Sequence, residues 1–244
     1  MSLWAIADIH ASRRDPETGR LSKPMDIFGE QWSDHVSRLA KHWVGAVQPD
    51  DTVVVAGDID WAVYLEDAEE TLALLESLPG KKILLRGNHD YWWSSKTTSR
   101  VAKALPSSLR LLHNNAIQAD GFNICGTKGS PVPGAFDWSE QDAKLLNRET
   151  IRLRMSLNAR DRALPTVVAL HFPPFYRLAG DSAYRELIEG ANVACVVYGH
   201  LHGGLGNSSP SGLYGGTRYT LVAGDAVGFR PVLVGARGKL AEAE

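Results

Sequence analysis

Five short segments place metal-binding side chain types where apolar runs stop: Asp8-Ile9-His10, Gly57-Asp58, Gly87-Asn88-His89-Asp90, His171 and Gly199-His200-Leu201-His202. The preceding runs, residues 3–7, 53–56, 83–85, 167–170 and 195–198, are short, rich in β-branched residues and bounded by polar ones. Such runs read as buried strands. In open α/β sheets, ligands gather beyond the carboxyl ends of strands, and all five segments lie there. A sheet built from these runs therefore brings three carboxylates, one amide and five imidazoles to one edge. That is the donor inventory of a hydrolytic site for two metal ions.

Helical patterns fill the intervals. Residues 33–48 place Val36, Leu39, Trp43, Val44 and Val47 on one face. Residues 65–78 do the same with Leu65, Ala68, Leu72, Leu75 and Leu78, and Pro79-Gly80 stops them. Ser139 followed by Asp142 predicts a capping-box-like start to a helix reaching about residue 159. A shorter helix is expected over 183–189. The second half is richer in strands, at 122–125, 166–170, 194–198, 218–222 and 232–235. One β-α-β pattern followed by β-rich, hairpin-like segments predicts an α/β protein with two packed sheets and helices outside. Two regions are irregular: 11–31, which carries Arg13, Arg14, Arg20 and Lys23, and 128–137, rich in Pro and Gly. Loops of this length inside a domain are usually functional or mobile.

Composition narrows the classes. The 244 residues are read as one domain, 1–244, and 44% hydrophobic with 22% charged residues argues against disorder. A formal charge of −2 gives no field for wrapping nucleic acid. No run approaches a membrane span, the amino terminus lacks a basic n-region, and Asp8 interrupts its apolar run. A cytoplasmic location is expected. Cys125 and Cys195 both lie in apolar runs, so they read as small buried hydrophobes rather than a disulfide framework.

The chemistry follows from residue type and spacing. Asp8 and His10 are two residues apart, so an extended strand end projects both to one side, and His200 and His202 repeat that arrangement. Carboxylate oxygen with imidazole nitrogen suits Mn²⁺, Fe or Zn²⁺ better than Ca²⁺. Asp58, on a tight turn after Gly57, is placed to bridge two ions about 3.5–4 Å apart. His89 lies between Asn88 and Asp90, the latter expected to fix its tautomer. A histidine near metals but not ligating them is placed to protonate a leaving group or stabilise a phosphoryl oxygen. His35, His42 and His113 lie outside these segments and read as structural or solvated. Arg13 and Arg14 are the cations nearest in sequence to the first motif, and each offers a fork to a phosphate or acidic substituent. Trp61, Tyr91, Trp92 and Trp93 lie beside two motifs, where they either stack a nucleobase or aryl group or cover core.

In order and without a gap, these segments resemble the signature of calcineurin-like metallophosphoesterases. The resemblance implies a four-layer α/β/β/α sandwich, two mixed β-sheets flanked by helices, with a dinuclear site on loops at one edge. Matching positions imply one ion held by Asp8, His10, Asp58 and His202 and the other by Asp58, Asn88, His171 and His200. Mn²⁺ is the expected ion, with Fe or Zn²⁺ as alternatives. His89 would be the general acid or phosphate-stabilising residue, with Asp90 behind it, and Asn88 would also touch substrate. Lys23-Pro24-Met25-Asp26, Gly57-Asp58-Ile59-Asp60-Trp61-Ala62 and Asn88-His89-Asp90-Tyr91-Trp92-Trp93 extend the similarity to a group of stand-alone bacterial phosphohydrolases. Many relatives carry a further Asp where this chain has Trp61, and Asp60 is the neighbouring candidate for its supporting role.

The implied activity is phosphoester hydrolysis, with a metal-bound hydroxide attacking phosphorus in line. Such chemistry needs no Ser or Cys nucleophile, and the chain has neither a Gly-x-Ser-x-Gly elbow nor a P-loop. No large insertion is available to build a deep cap, which favours a diesterase acting on a small, nucleotide-like phosphoester. Phosphomonoesterase and nuclease activities within the family are the alternatives, followed by a non-catalytic metal-binding scaffold. A metal-dependent amidase or deaminase lacks its usual His-Glu-x-x-His or Cys-x-x-Cys signature.

Overall fold

β-Branched and aliphatic runs form strands here because both faces of each central strand are covered. The computed structural model describes residues 1–15, 17–135, 138–177 and 182–242. The first sheet contains β1 (Ser2–Ile6), β2 (Thr52–Ala56), β3 (Lys81–Leu85), β4 (Leu109–Leu112), β11 (Val232–Ala236) and β12 (Lys239–Leu240). The second contains β5 (Ala116–Ala119), β6 (Phe122–Thr127), β7 (Thr166–Leu170), β8 (Cys195–Tyr198), β9 (Gly212–Tyr214) and β10 (Thr217–Leu221). Their orders are β12-β11-β1-β2-β3-β4 and β5-β6-β7-β8-β10-β9.

Both sheets are mixed in the same way. Each holds four parallel strands, β1 to β4 in one and β6, β7, β8 and β10 in the other, with antiparallel pairing only at the margins. The second half is thus less hairpin-like than its strand density suggests. The reason is its crossovers, since α4 (Asp142–Asn158) and α5 (Ala183–Gly190) return the chain to start parallel strands. β11 and β12 bring the end of the chain back to pair beside β1.

Alternation along the strands sorts side chains into layers. Val54, Ala56, Val167, Ala169, Cys195 and Val197 meet in the core between the sheets. Val53 and Val55 face the other way, against Leu39 and Trp43 of α1 (His35–Ala46) and Leu72 and Leu75 of α2 (Glu69–Ser77). Val101 of α3 (Thr98–Ala104) joins that layer. Val168, Leu170, Val196 and Tyr198 pack on Leu153, Leu157, Tyr184 and Ile188 of α4 and α5. The architecture is the four-layer sandwich. Trp43 is fully buried, and truncating a side chain of this kind to Ala costs about 3–5 kcal/mol.

Some expectations shift in detail. Val44 is exposed, so the buried stripe of α1 is narrower than the sequence face. The pattern over 65–78 divides into a 3₁₀ turn, Leu65–Ala68, and α2. At α4, Asp142 accepts from the amide and hydroxyl of Ser139, one half of the expected reciprocal cap. Both cysteines are free and buried, and burial pushes the Cys125 thiol up to about 11. The irregular stretches 11–31 and 128–137 include residues 16, 136 and 137, which lie outside the described residues. Among the described residues, no helix is long and apolar enough to cross a membrane.

Candidate metal centre

The loops that leave β1 and β2 are laced together beyond their carboxyl ends. Asp8 N donates to Gly57 O at 2.9 Å, His10 N to Asp58 O at 2.9 Å, and Ala11 N to Ile59 O at 3.0 Å. Beneath them an Ala7–Ala223 bridge joins the two sheets, so Asp8 emerges at their shared edge. Asp8, His10, Asp58 and His200 all adopt left-handed φ angles, of 57°, 47°, 51° and 72°. Non-glycine residues rarely accept that strain, and it concentrates where function fixes side-chain direction. Two glycines permit the close approach. A Cβ on Gly87 would fall 2.0 Å from Asp58 Oδ1, and one on Gly199 would fall 2.3 Å from Asp8 Oδ2.

Six of the candidate ligands converge within short range. Asp58 Oδ2 lies 3.4 Å from His171 Nε2 and 3.6 Å from His10 Nε2. Asp8 Oδ1 lies 3.9 Å from His10 Nε2 and 3.8 Å from His202 Nε2. His10 Nε2 and His202 Nε2 are 3.4 Å apart. Asn88 Oδ1 is 2.6 Å from His171 Nε2. His200 donates its amide to Asp8 Oδ2 at 2.9 Å, and its ring stands 5.2 Å from that of His171. Among the described residues, two groups of side chains could each hold an ion, Asp8-His10-His202 and Asp8-Asp58-His171.

Asp8 Oδ1 tests whether metal ions fit this cluster. It is buried and has no hydrogen-bond partner, although three imidazoles surround its carboxylate. A buried carboxylate oxygen without a donor is costly, and a cation would satisfy it. The electrostatics of the metal-free cluster differ from residue to residue. Burial raises the Asp8 carboxyl to about 6 and drives the His10 and His200 imidazoles down to about 3, leaving both rings neutral for coordination. For Asp58, burial acts upward but His171 and His10 outweigh it and hold the carboxyl below its ordinary range. For His171, burial acts downward but Asp58 and Asp8 raise it to about 9. That ring donates Nδ1–H to Ala56 O at 3.1 Å, so Nε2 is the nitrogen presented to the cluster.

The calcineurin-like phosphoesterase family profile matches residues 1–204. This chain belongs to the calcineurin-like phosphoesterases. Members of that family are metal-dependent phosphoester hydrolases that use a dinuclear centre. The chain is similar to the gene 66 protein of Mycobacterium phage L5, 31% identical over 87 residues, 36% of this chain and 39% of that protein. A phosphopantetheinyl hydrolase from Mycobacterium tuberculosis shares the fold at a TM-score of 0.55 and 19% identity, over 91% of this chain and 88% of that one. A protein of unknown function from Aquifex aeolicus aligns over 95% of both chains at 17% identity and a TM-score of 0.46.

Several site residues have partners the sequence did not indicate. Asp90 does not stand behind His89. Its Oδ1 accepts from Ile59 N at 2.8 Å, Asp60 N at 3.1 Å and Trp92 Nε1 at 3.3 Å, and its Oδ2 from Gly87 N at 2.7 Å. The carboxylate thereby ties the loop after β2 to the loop after β3. His89 Nδ1 pairs with Tyr91 Oη instead, at 3.0 Å. Asp90→Ala leaves four donors without their acceptor and should destabilise the metal-free protein by at least about 3 kcal/mol in urea unfolding. A loss below about 1 kcal/mol would show that the loops hold together without it.

Asp60 does not take up the supporting role. It accepts from Ala62 N at 2.6 Å and from the hydroxyl of Thr71. Arg13 and Arg14 are also engaged elsewhere. The 11–31 segment turns back through an Arg14–Leu21 bridge, Arg13 pairs with Asp67, and Arg14 donates to Gly19 O at 3.1 Å. The aromatic group divides: Trp92 and Trp93 are core, whereas Trp61 stacks on His10 at 5.0 Å and lies 4.2 Å from the His89 ring. His35 and His42 each reach a backbone carbonyl, of Trp32 and Phe229.

Asp225 was missed by sequence reading. Its Oδ1 accepts from His202 Nδ1 at 2.9 Å and its Oδ2 from Gly203 N at 3.0 Å, which turns His202 Nε2 toward Asp8. The available signal was Gly224-Asp225 closely following a strand-like run, the pattern of Gly57-Asp58. Asp225→Ala should weaken metal binding by about 10–100-fold, the usual effect of removing a carboxylate behind a ligating histidine. Calorimetric titration with Mn²⁺ checks this, and unchanged affinity would mean that His202 needs no such orientation.

Proposed function

We propose that the chain is a phosphodiesterase for small phosphoesters, with one ion held by Asp8, His10, Asp58 and His202. The other is held by Asp58, Asn88, His171 and His200. The observation that carries this reading is the position of Asp58 Oδ2, between His10 Nε2 at 3.6 Å and His171 Nε2 at 3.4 Å. A carboxylate oxygen so placed serves both halves of the cluster. When bound, the cations supply Lewis acidity and an activated water. The protein's own groups do the rest. His89 is partly exposed, its Nε2 is 4.0 Å from Asp58 Oδ2, and Tyr91 holds its other nitrogen. It is thus placed to give a proton to the departing oxygen.

Preference for diesters rests on the wall beside His89. Tyr91 is exposed and stands edge-on to the His89 ring, which supports stacking of an aryl or nucleobase substituent that a monoester lacks. The donor set favours Mn²⁺, with Fe or Zn²⁺ next. We read 1–244 as one domain because β11 and β12 complete the first sheet. The test compares bis(4-nitrophenyl) phosphate with 4-nitrophenyl phosphate while Mn²⁺, Fe²⁺, Zn²⁺ and Mg²⁺ are supplied separately. Higher kcat/KM for the diester supports the proposal; the reverse order makes the protein a monoesterase.

A further inference from the structure

Two lysines rest on aromatic rings that abut the candidate ligands, one against each half of the cluster. Lys23 Nζ lies 4.8 Å from the centroid of Trp61, whose ring is stacked on His10 and packed against His89. Lys128 Nζ lies 5.3 Å from the centroid of Phe172, whose ring is 4.1 Å from that of His200 and 5.4 Å from that of His171. Among the described residues, neither ammonium forms an ion pair with a carboxylate. A cation on an aromatic face keeps most of its charge available, because the ring quadrupole attracts it without neutralising it.

Both positions are built by the backbone. Ser22 N donates to Arg13 O at 3.0 Å, and Lys23 N donates to Ser12 Oγ at 3.3 Å, whose hydroxyl in turn donates to Lys23 O at 3.1 Å. Met25, two residues on, is anchored in the helix-side core of the first sheet. Lys128 directly follows β6, and its carbonyl accepts the amides of His171 and Phe172, each at 3.1 Å. Each lysine therefore stands at a fixed place beside the reacting centre. Lys23 lies close enough to His89 for its charge to act on that imidazole, and burial lowers the Lys128 ammonium to about 8 while Asp58 acts the other way.

We infer that Lys23 and Lys128 are specificity residues that select phosphoesters carrying a further anionic group on a substituent. The inference rests on the phosphoesterase reading of the same site. The cations hold that group while the scissile phosphorus sits at the metal centre. A substrate with a neutral substituent leaves both ammonium groups on their rings. Neither lysine is assigned a part in bond breaking.

The experiment uses two aryl diesters with the same leaving group, 4-carboxyphenyl 4-nitrophenyl phosphate and its uncharged 4-carbamoylphenyl counterpart, in the presence of Mn²⁺. The readout is the ratio of kcat/KM for the two esters within each variant, which cancels any loss of folded protein. The wild-type chain should prefer the carboxylate ester by about tenfold, the size of one charge-assisted contact. The preference should reside mainly in KM. It should fall to about one in the double variant Lys23→Ala with Lys128→Ala, and return when both are Arg. A wild-type ratio near one, or a ratio unchanged in the double Ala variant, overturns the inference while leaving phosphodiester hydrolysis standing. Hydrolysis of neither ester with any of the four ions overturns the phosphodiesterase reading, and the inference with it.

Discussion

Asp58→Asn should reduce bound metal from two ions to fewer than two per chain and cut turnover by on the order of 10³-fold or more. That exceeds the 10–100-fold effect of residues standing behind ligands, because Asp58 is itself the carboxylate between both halves of the site. Its Oδ1 accepts the His89 amide at 2.8 Å, a bond an amide oxygen can keep. Its Oδ2 faces His10 and His171, where an NH₂ group would present protons to nitrogens that must coordinate. The chain should therefore stay folded and lose the ions. Metal analysis of the purified variant and hydrolysis of bis(4-nitrophenyl) phosphate measure both effects. Two ions bound with wild-type turnover would remove Asp58 from the bridging role.

How much of this was legible before the structure depended on the length scale of the signal. The strands behind the five motifs are short apolar runs with polar ends, and each formed where its composition required. The gathering of Asp8, His10, Asp58, Asn88, His171, His200 and His202 follows from their common position after strands, which a parallel arrangement turns into one edge. Short or polar elements were not legible. β5 and β9 have four and three residues, and α3 has only Val101 buried, so neither periodicity nor an apolar run announces them. Side-chain direction was illegible for another reason. Sequence adjacency places Asp90 beside His89, but the turn sends its carboxylate to the amides of Ile59, Asp60 and Gly87. Adjacency likewise singled out Arg13 and Arg14, whereas the hairpin between residues 12 and 23 brings Lys23 to Trp61.

On the proposed reading His89 transfers a proton without binding metal, and its variant should separate the two in measurement. The side chain reaches the cluster only at 4.0 Å from Asp58 Oδ2, while the bond that helps fix Asp58 comes from the His89 backbone amide. His89→Ala therefore keeps that bond and should keep both ions. What it loses is an imidazole whose Nδ1 is held by Tyr91 and whose flank is packed by Trp61 at 4.2 Å. Losing a positioned general acid should lower kcat by about 10²–10⁴-fold. The loss should depend on the leaving group. A 4-nitrophenolate departs without much help, so its diester should fall toward the lower end of that range. An alkoxide needs its proton as the bond breaks, so an alkyl diester should fall toward the upper end. Burial holds the His89 imidazole below its ordinary pKa, which eases release of the proton it carries to the leaving oxygen. Equal losses for aryl and alkyl esters would show that the ring acts on phosphate charge alone, and loss of metal from the variant would return His89 to the coordination sphere.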